Sequence, residues 1–482
     1  MISNQKKINH LLWRAGFGPS WNQQNEFQST DHAVEQLFSG GNAKPINTVS
    51  VPQQMGGEGM MGMAQQRQMM MQRREQQQMT TEQRKEKRME KHEEIRTMTS
   101  AWLQNMYGDK NLLQEKMSLF WHGAITCHSE IPLFAQQYVN IIRANSLGKF
   151  GDLLRNVSKS PAMMMYLDTM KNRKGSPNEN FARELMELFT IGKGNYTEQD
   201  VKEGARAFTG WSLKPPEGFW VNESEHDDGQ KIFFGKKGNL SGDDVLDIIL
   251  ADKRTAKNIS RKIYRCFVND QVNDEIVNDL SEKFYQSDYH IGKLMKEIFS
   301  SDWFYAEENI GAHVKSPVEL IAGITRQMNL QYENEDALHV PQRILGQELM
   351  SPPNVAGWPG GKNWIDSSSL IYRLNFANSI LSPNSNGYDV SPKIQPEEML
   401  ISNANVRVKV NDPDAVWINY AKNFTADSYQ ELFEEISEFL IQPPQLSFSM
   451  TDILPGESLM GRDEFIQKAT LRLLSTPEYQ MC

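Results

Sequence analysis

From Ile95 onward, apolar positions recur every three to four residues and are broken at short intervals by glycine, proline and capping residues. That period lines up one face of an α-helix. It predicts helices over about 95–107, 111–127, 132–146, 149–159, 161–171, 178–191 and 197–210. Asn111 and Ser160-Pro161 supply starts, and Gly108, Gly148 and Gly192 supply stops. The pattern resumes at 242–251, 254–268, 273–286, 290–300, 316–330, 338–349, 367–380, 413–422, 428–440 and 461–475. Ahead of it lie two further helical patterns, at 4–17 and 31–38. Short connections between so many helices suit a compact bundle.

The interruptions organise the rest. Between 41 and 95 the chain is rich in Met, Gln, Arg and Glu, with almost no aromatic or β-branched residue. It reads as a low-complexity insertion, first a loop and then a solvated helix. A Met-rich stripe could also bind a soft metal or a partner surface. Periodicity is lost again over 211–242, where KIFF suggests a short strand, and in PPNVAGWPGGKNW at 352–364. The expected fold is therefore all-α: one large multi-helix bundle with long Pro/Gly/aromatic loops and at most a small β-hairpin. Residues 1–40 give the amino-terminal helices of the core and 41–95 the insertion. Residues 96–380 form the main helical core with the candidate site. Residues 381–482 hold a surface excursion and the closing helices of the same domain.

Composition narrows the class. The 482 residues carry a net charge of −10, which argues against a nucleic-acid partner because such proteins need a basic face. The three cysteines, Cys127, Cys266 and Cys482, are far apart and form neither a disulfide framework nor a CxxC zinc motif. No window approaches the roughly 20 apolar residues of a transmembrane helix, and no signal-peptide-like run precedes Arg14. The expectation is a cytoplasmic protein without a transmembrane segment, a periplasmic or exported one being the alternative.

The stretch from Asn172 to Trp211 concentrates the candidate chemistry. On a wheel of 100° per residue, helix 178–191 places Phe181, Ala182, Leu185, Met186, Leu188 and Phe189 on one arc. Glu179, Asn180, Arg183, Glu184 and Glu187 fall on the other. Such a face is either a solvated surface with Glu179–Arg183–Glu187 pairs or the wall of a polar cleft. In the cleft reading, Glu184 and Glu187 are close enough to share a divalent cation or a proton. His226 and Asp228 of the HDDG loop complete a catalytic set, and His226 joins the two glutamates as a metal ligand. Arg183, Arg173, Asn180 and Trp211 contact substrate. His122 and His128 in FWHGAITCHSE are wrongly spaced for an HxxxH pair, and one of them is expected to be a buried core histidine. GxSxG, HExxH, GxxxxGK[ST] and a helix-opening GxGxxG are absent.

The segments LLWRAGFGP, LQEKMSLFWHG, NRKGSPNENFARELMELFTIG, YTEQDVKEGARAFTGW, HDDGQKIFFG, GDDVLDIIL, VKSPVEL, PPNVAGWPGGKNW and LLSTPEYQ occur in one order along the chain. In that order they resemble the bacterial domain of unknown function 1800 family, from the first helix to the last few residues. The resemblance implies a large helical protein without an assigned reaction. It further implies a neighbouring gene product of a second family, number 1501, which is similar to alkaline phosphatases and sulfatases. Many members carry His where this chain has Phe189, so a site on Glu184, Glu187 and His226 would lack that group. Two functions are expected from all this. One is a hydrolytic or substrate-binding protein with a polar, metal-binding cleft that works beside a phosphatase/sulfatase-like partner on a polar, polysaccharide-type substrate. The other is a non-enzymatic scaffold or assembly partner.

Overall fold

Helix Pro317–Gln327 is the centre of the molecule, with all 11 of its residues buried. A helix covered on every side can sit only in the middle of a bundle. Its start is fixed locally: Pro317 occupies the first turn, and Ser316 and Glu319 form a reciprocal capping box. Gly323 lets helix Asn4–Arg14 approach, since a Cβ there would lie 2.2 Å from the Trp13 ring. At the other end the buried Arg326 guanidinium donates to the carbonyls of Gly18 at 3.1 Å and Tyr107 at 3.2 Å. It thereby ties two chain turns to the central helix.

The computed structural model describes residues 2–49, 79–214, 218–382, 408–455 and 460–482. Around the centre lie helices Thr81–Tyr107, Leu112–Ala124, Pro132–Asn145, Lys253–Phe267, Ser367–Leu381 and Arg462–Leu474. Lys253–Phe267 shows how the apolar period becomes packing. Ala256, Ile259, Ile263, Tyr264 and Phe267 are buried on one stripe, with Ile259, Ile263 and Phe267 each contributing about 1.5–3 kcal/mol. One core cluster runs from Leu11 to Tyr479, so the chain is a mostly α single domain. Among the described residues no helix is long and apolar enough to cross a membrane.

Several elements depart from the expected bounds. The helix read from 95 begins at Thr81, where Thr80 and Gln83 form a capping box. Residues 81–90 are exposed, and burial begins at Met98. Residues 50–78 of the Met/Gln stretch and 383–407 of the carboxy-terminal excursion lie outside the described residues. Helix 338–349 is shorter, His339–Ile344, because the chain turns through Gly346 at φ 83°. Short helices at Trp21–Glu26 and Met450–Ile453 were not anticipated. Among the described residues the β structure is two antiparallel hairpins. Trp211–Lys214 pairs with Gly218–Val221, and Lys231–Phe233, the strand expected from KIFF, pairs with Lys236–Gly238.

Candidate functional site

Asn172 closes the stretch that it begins. Its buried side chain donates to the Ala205 carbonyl at 2.8 Å and accepts from the Asn178 backbone at 2.9 Å. The Asn172 carbonyl accepts from Gly210 N at 3.1 Å. Gly210 has φ 80°, and a Cβ there would meet the Asn222 carbonyl at 2.6 Å, so the turn requires glycine. The loop, the acidic helix and the following helix Glu198–Ala207 are thus one closed unit.

The acidic helix is not the single α-helix that the wheel assumed. Asn180–Glu184 is α-helical, and Leu185–Phe189 is a π turn. The widening has a tertiary cause. Lys262 of helix Lys253–Phe267 donates to the Leu188 carbonyl, and Asn258 of the same helix donates to the Thr190 carbonyl at 2.7 Å. Thr190 Oγ1 reaches back to the Leu185 carbonyl at 2.5 Å. Gly192, at φ 92°, then ends the segment by donating to the Met186 carbonyl. Burial lowers the Lys262 amine to about 8, yet it remains a donor at a helix end that favours positive charge. Single π turns of this sort are enriched at functional sites.

The two glutamates have different surroundings. Glu184 is half-buried, and its carboxyl is raised above the usual range, first by burial and then by the neighbouring Glu187, while Arg183 opposes the shift. Glu187 accepts a hydrogen bond from the Tyr196 hydroxyl, whose own pKa is pushed up to about 12 by burial and by that bond. Tyr166 also lies within electrostatic reach of Glu184. A carboxyl held toward its neutral form beside a tyrosine-anchored carboxylate can hand over and take back a proton.

The other expected residues stand elsewhere. Arg183 is bound to Glu198 at 2.7 and 2.8 Å and to Glu179 at 3.1 Å, at the surface. His226 is buried, with Nδ1 on the Thr209 carbonyl at 2.8 Å. Its neighbour Asp227 receives both Arg206 Nε at 2.8 Å and Arg206 Nη2 at 3.2 Å, and this lowers the carboxyl to about 2. The HDDG turn therefore clasps the end of helix Glu198–Ala207. Asp228 is exposed, 3.7 Å from Lys174. Arg173 is exposed beside Glu225 at 3.5 Å, and Asn180 donates weakly to the Leu167 carbonyl at 3.4 Å. Trp211 is not a surface platform: it is 3% exposed and packs edge-on against Phe208 and Phe219. Among the described residues no group of three or more His, Cys, Asp or Glu could hold a metal ion. Glu184, Glu187 and His226 are accordingly not gathered into a three-ligand centre.

His122 and His128 are structural. His122 is fully buried and stays neutral, its pKa lowered to about 3 by burial. Its Nε2 accepts from Met350 N at 3.1 Å, and His128 Nδ1 sits 2.9 Å from the Met350 carbonyl. Together they clamp a residue in the left-handed region, φ 63°, at the mouth of the 352–364 loop.

Sequence reasoning passed over a second concentration of charge, deep in the core around Glu319. Lys116 donates to Glu319 and to the Trp13 carbonyl, and His313 Nε2 lies 3.2 Å from the other Glu319 oxygen. The available signal was charged letters inside apolar windows: Arg14 in LLWRAGFGP, Lys116 in LQEKMSLFWHG, and Lys315 with Glu319 in VKSPVEL.

No curated protein and no solved structure matches the chain significantly. Residues 10–481, nearly the whole length, match the family described as protein of unknown function, DUF1800. The segments that run in order along the chain, folded here into one helical domain, place it there: the chain belongs to the DUF1800 family.

Proposed function

We propose that this chain binds and hydrolyses a polar, polysaccharide-type substrate through Glu184 and Glu187, acting beside a phosphatase- or sulfatase-like partner. Glu184 is the proton donor and Glu187 the paired carboxylate. The observation that carries the reading is the unequal pair across the junction of α-helix and π turn: Glu184 held toward its neutral form by burial, Glu187 anchored by Tyr196. Arg183 orients an anionic substrate group once it is released from Glu198. Any divalent cation would be held by the two carboxylates and substrate or solvent. The test is thermal unfolding with Mn²⁺, Zn²⁺ and Ca²⁺, together with reducing-end release from neutral and acidic polysaccharides. The expected result is activity that falls by about 10²–10⁴ in Glu184→Gln. Activity and any metal-induced stabilisation that survive Glu184→Gln and Glu187→Gln unchanged would remove these residues from the site.

One observation favours a scaffold instead. The first part of helix Thr81–Tyr107 projects exposed, mixed-charge turns away from the core. In that reading a partner co-purifies equally well with Glu184→Ala and Glu187→Ala.

A further inference from the structure

The interior around Glu319 holds more positive than negative side-chain charge. Arg14, Lys116, Lys315 and Arg373 are each 0–4% exposed. Arg14, Lys116, Lys315 and Arg373 all lie within electrostatic reach of the one buried Asp or Glu side chain among them, Glu319, while the buried Cys482 acts on Arg14 and Lys315 and Cys266 acts on Arg14. That carboxylate is already committed to Lys116, to Ser316 N at 2.6 Å and to His313. Burial keeps His313 toward its neutral form. Farther out, half-buried Asp270 acts on Arg14 and exposed Asp366 acts on Arg373.

Backbone carbonyls satisfy part of this charge. Lys315 Nζ donates to the Tyr479 carbonyl at 2.5 Å and lies 3.7 Å from the centroids of both the Trp13 and Tyr479 rings. Arg14 Nη2 donates to Val268 at 2.8 Å and Asn309 at 3.2 Å, and Arg373 Nη1 donates to the Lys315 carbonyl at 2.9 Å. Arg14 Nε and Nη1 and Arg373 Nε and Nη2 are left with no acceptor among the described residues. Two buried guanidinium groups thus each present unused N–H donors, although unpaired buried donors are rare and costly in folded proteins.

We propose that this cluster is a binding site for a small oxyanion of the phosphate or sulfate type, held by the free edges of Arg14 and Arg373 with Lys315 beside them. Guanidinium edges match the oxygens of such anions two at a time. An anion would also hold Lys315 in its charged form, which burial alone opposes by lowering its pKa to about 7. A cleft of about 270 Å³ has Leu370, Glu478, Gln480 and Met481 in its wall, neighbours in sequence of Arg373 and of the Tyr479 carbonyl that Lys315 binds. The site shares no residue with Glu184 and Glu187, so either proposal can fail without the other.

The test uses the full chain, dialysed free of phosphate and sulfate and titrated calorimetrically with inorganic phosphate, sulfate and acetate. Ion chromatography of the denatured protein before and after dialysis detects an anion trapped in the core. The expected result is saturable binding of one phosphate or sulfate per chain, with acetate at least tenfold weaker. Arg373→Gln and Arg14→Gln each weaken binding at least tenfold, and the surface control Arg261→Gln, at an arginine paired with Asp274, leaves it unchanged. If the wild-type chain binds no phosphate or sulfate saturably and releases none on denaturation, water satisfies the free donors and the proposal is overturned. Equal binding of acetate overturns the assignment to a tetrahedral anion, and undiminished binding by folded Arg373→Gln and Arg14→Gln overturns the location. The wild-type titration decides the matter even if neither variant folds.

Discussion

Buried charge is where single residues carry most weight in this protein. Arg143 and Glu115, 2% and 1% exposed, form a forked pair at 2.5 and 3.0 Å, and Trp102 Nε1 donates to the same carboxylate at 3.0 Å. Such a pair adds little over apolar packing, but removing one partner strands the other charge in the core. Glu115→Gln should therefore cost about 3–5 kcal/mol in urea-midpoint measurements, and a loss under about 1 kcal/mol would mean the pair is solvated. Glu184 works in the opposite sense. Its carboxyl is raised in the folded chain, so between the unfolded and folded pKa values the folded chain holds a proton that the unfolded chain has released. Its contribution to stability is thus fully present below the unfolded pKa and is lost as pH rises through the folded one.

At the scale of elements, close approach sets the tolerances. Helix Gly242–Ala251 begins against the aromatic cluster beneath the first hairpin, and a Cβ on Gly242 would lie 2.5–2.6 Å from the Trp211 and Phe208 rings. Gly242→Ala should destabilise by about 1–3 kcal/mol through overpacking. Thermal unfolding checks this, and a midpoint matching the wild type would show that the rings move aside. The helices were largely legible in the sequence because their ends are set by neighbours in the chain. Ser160, Ser241 and Ser316 cap the helices that they precede, and prolines open those at 132, 161, 317 and 413. The π turn at Leu185–Phe189 was not legible, because Lys262 and Asn258, far along the chain, hold it open.

For the whole molecule, the sequence order of the motifs is resolved as a convergence in space. LLWRAGFGP, LQEKMSLFWHG, VKSPVEL and LLSTPEYQ meet around Trp13, Lys116, Glu319 and Tyr479. NRKGSPNENFARELMELFTIG and HDDG instead form a peripheral closed unit. The acidic face was readable because carboxylates at helical spacing declare themselves. The placement of His226 was not, since its bond to the Thr209 carbonyl is made only once the fold brings the two together. Buried lysines and arginines were hidden for a related reason: their burial depends on partners brought together only by the fold.

The claim that Glu184 is the proton donor of an unequal carboxylate pair is tested most directly by NMR titration of the Glu184 side-chain carboxyl, in the wild type and in Glu187→Gln. The account predicts a Glu184 pKa above the ordinary glutamate range that moves back toward it when Glu187 loses its charge. A Glu184 that titrates at the ordinary value and is indifferent to Glu187→Gln would contradict it.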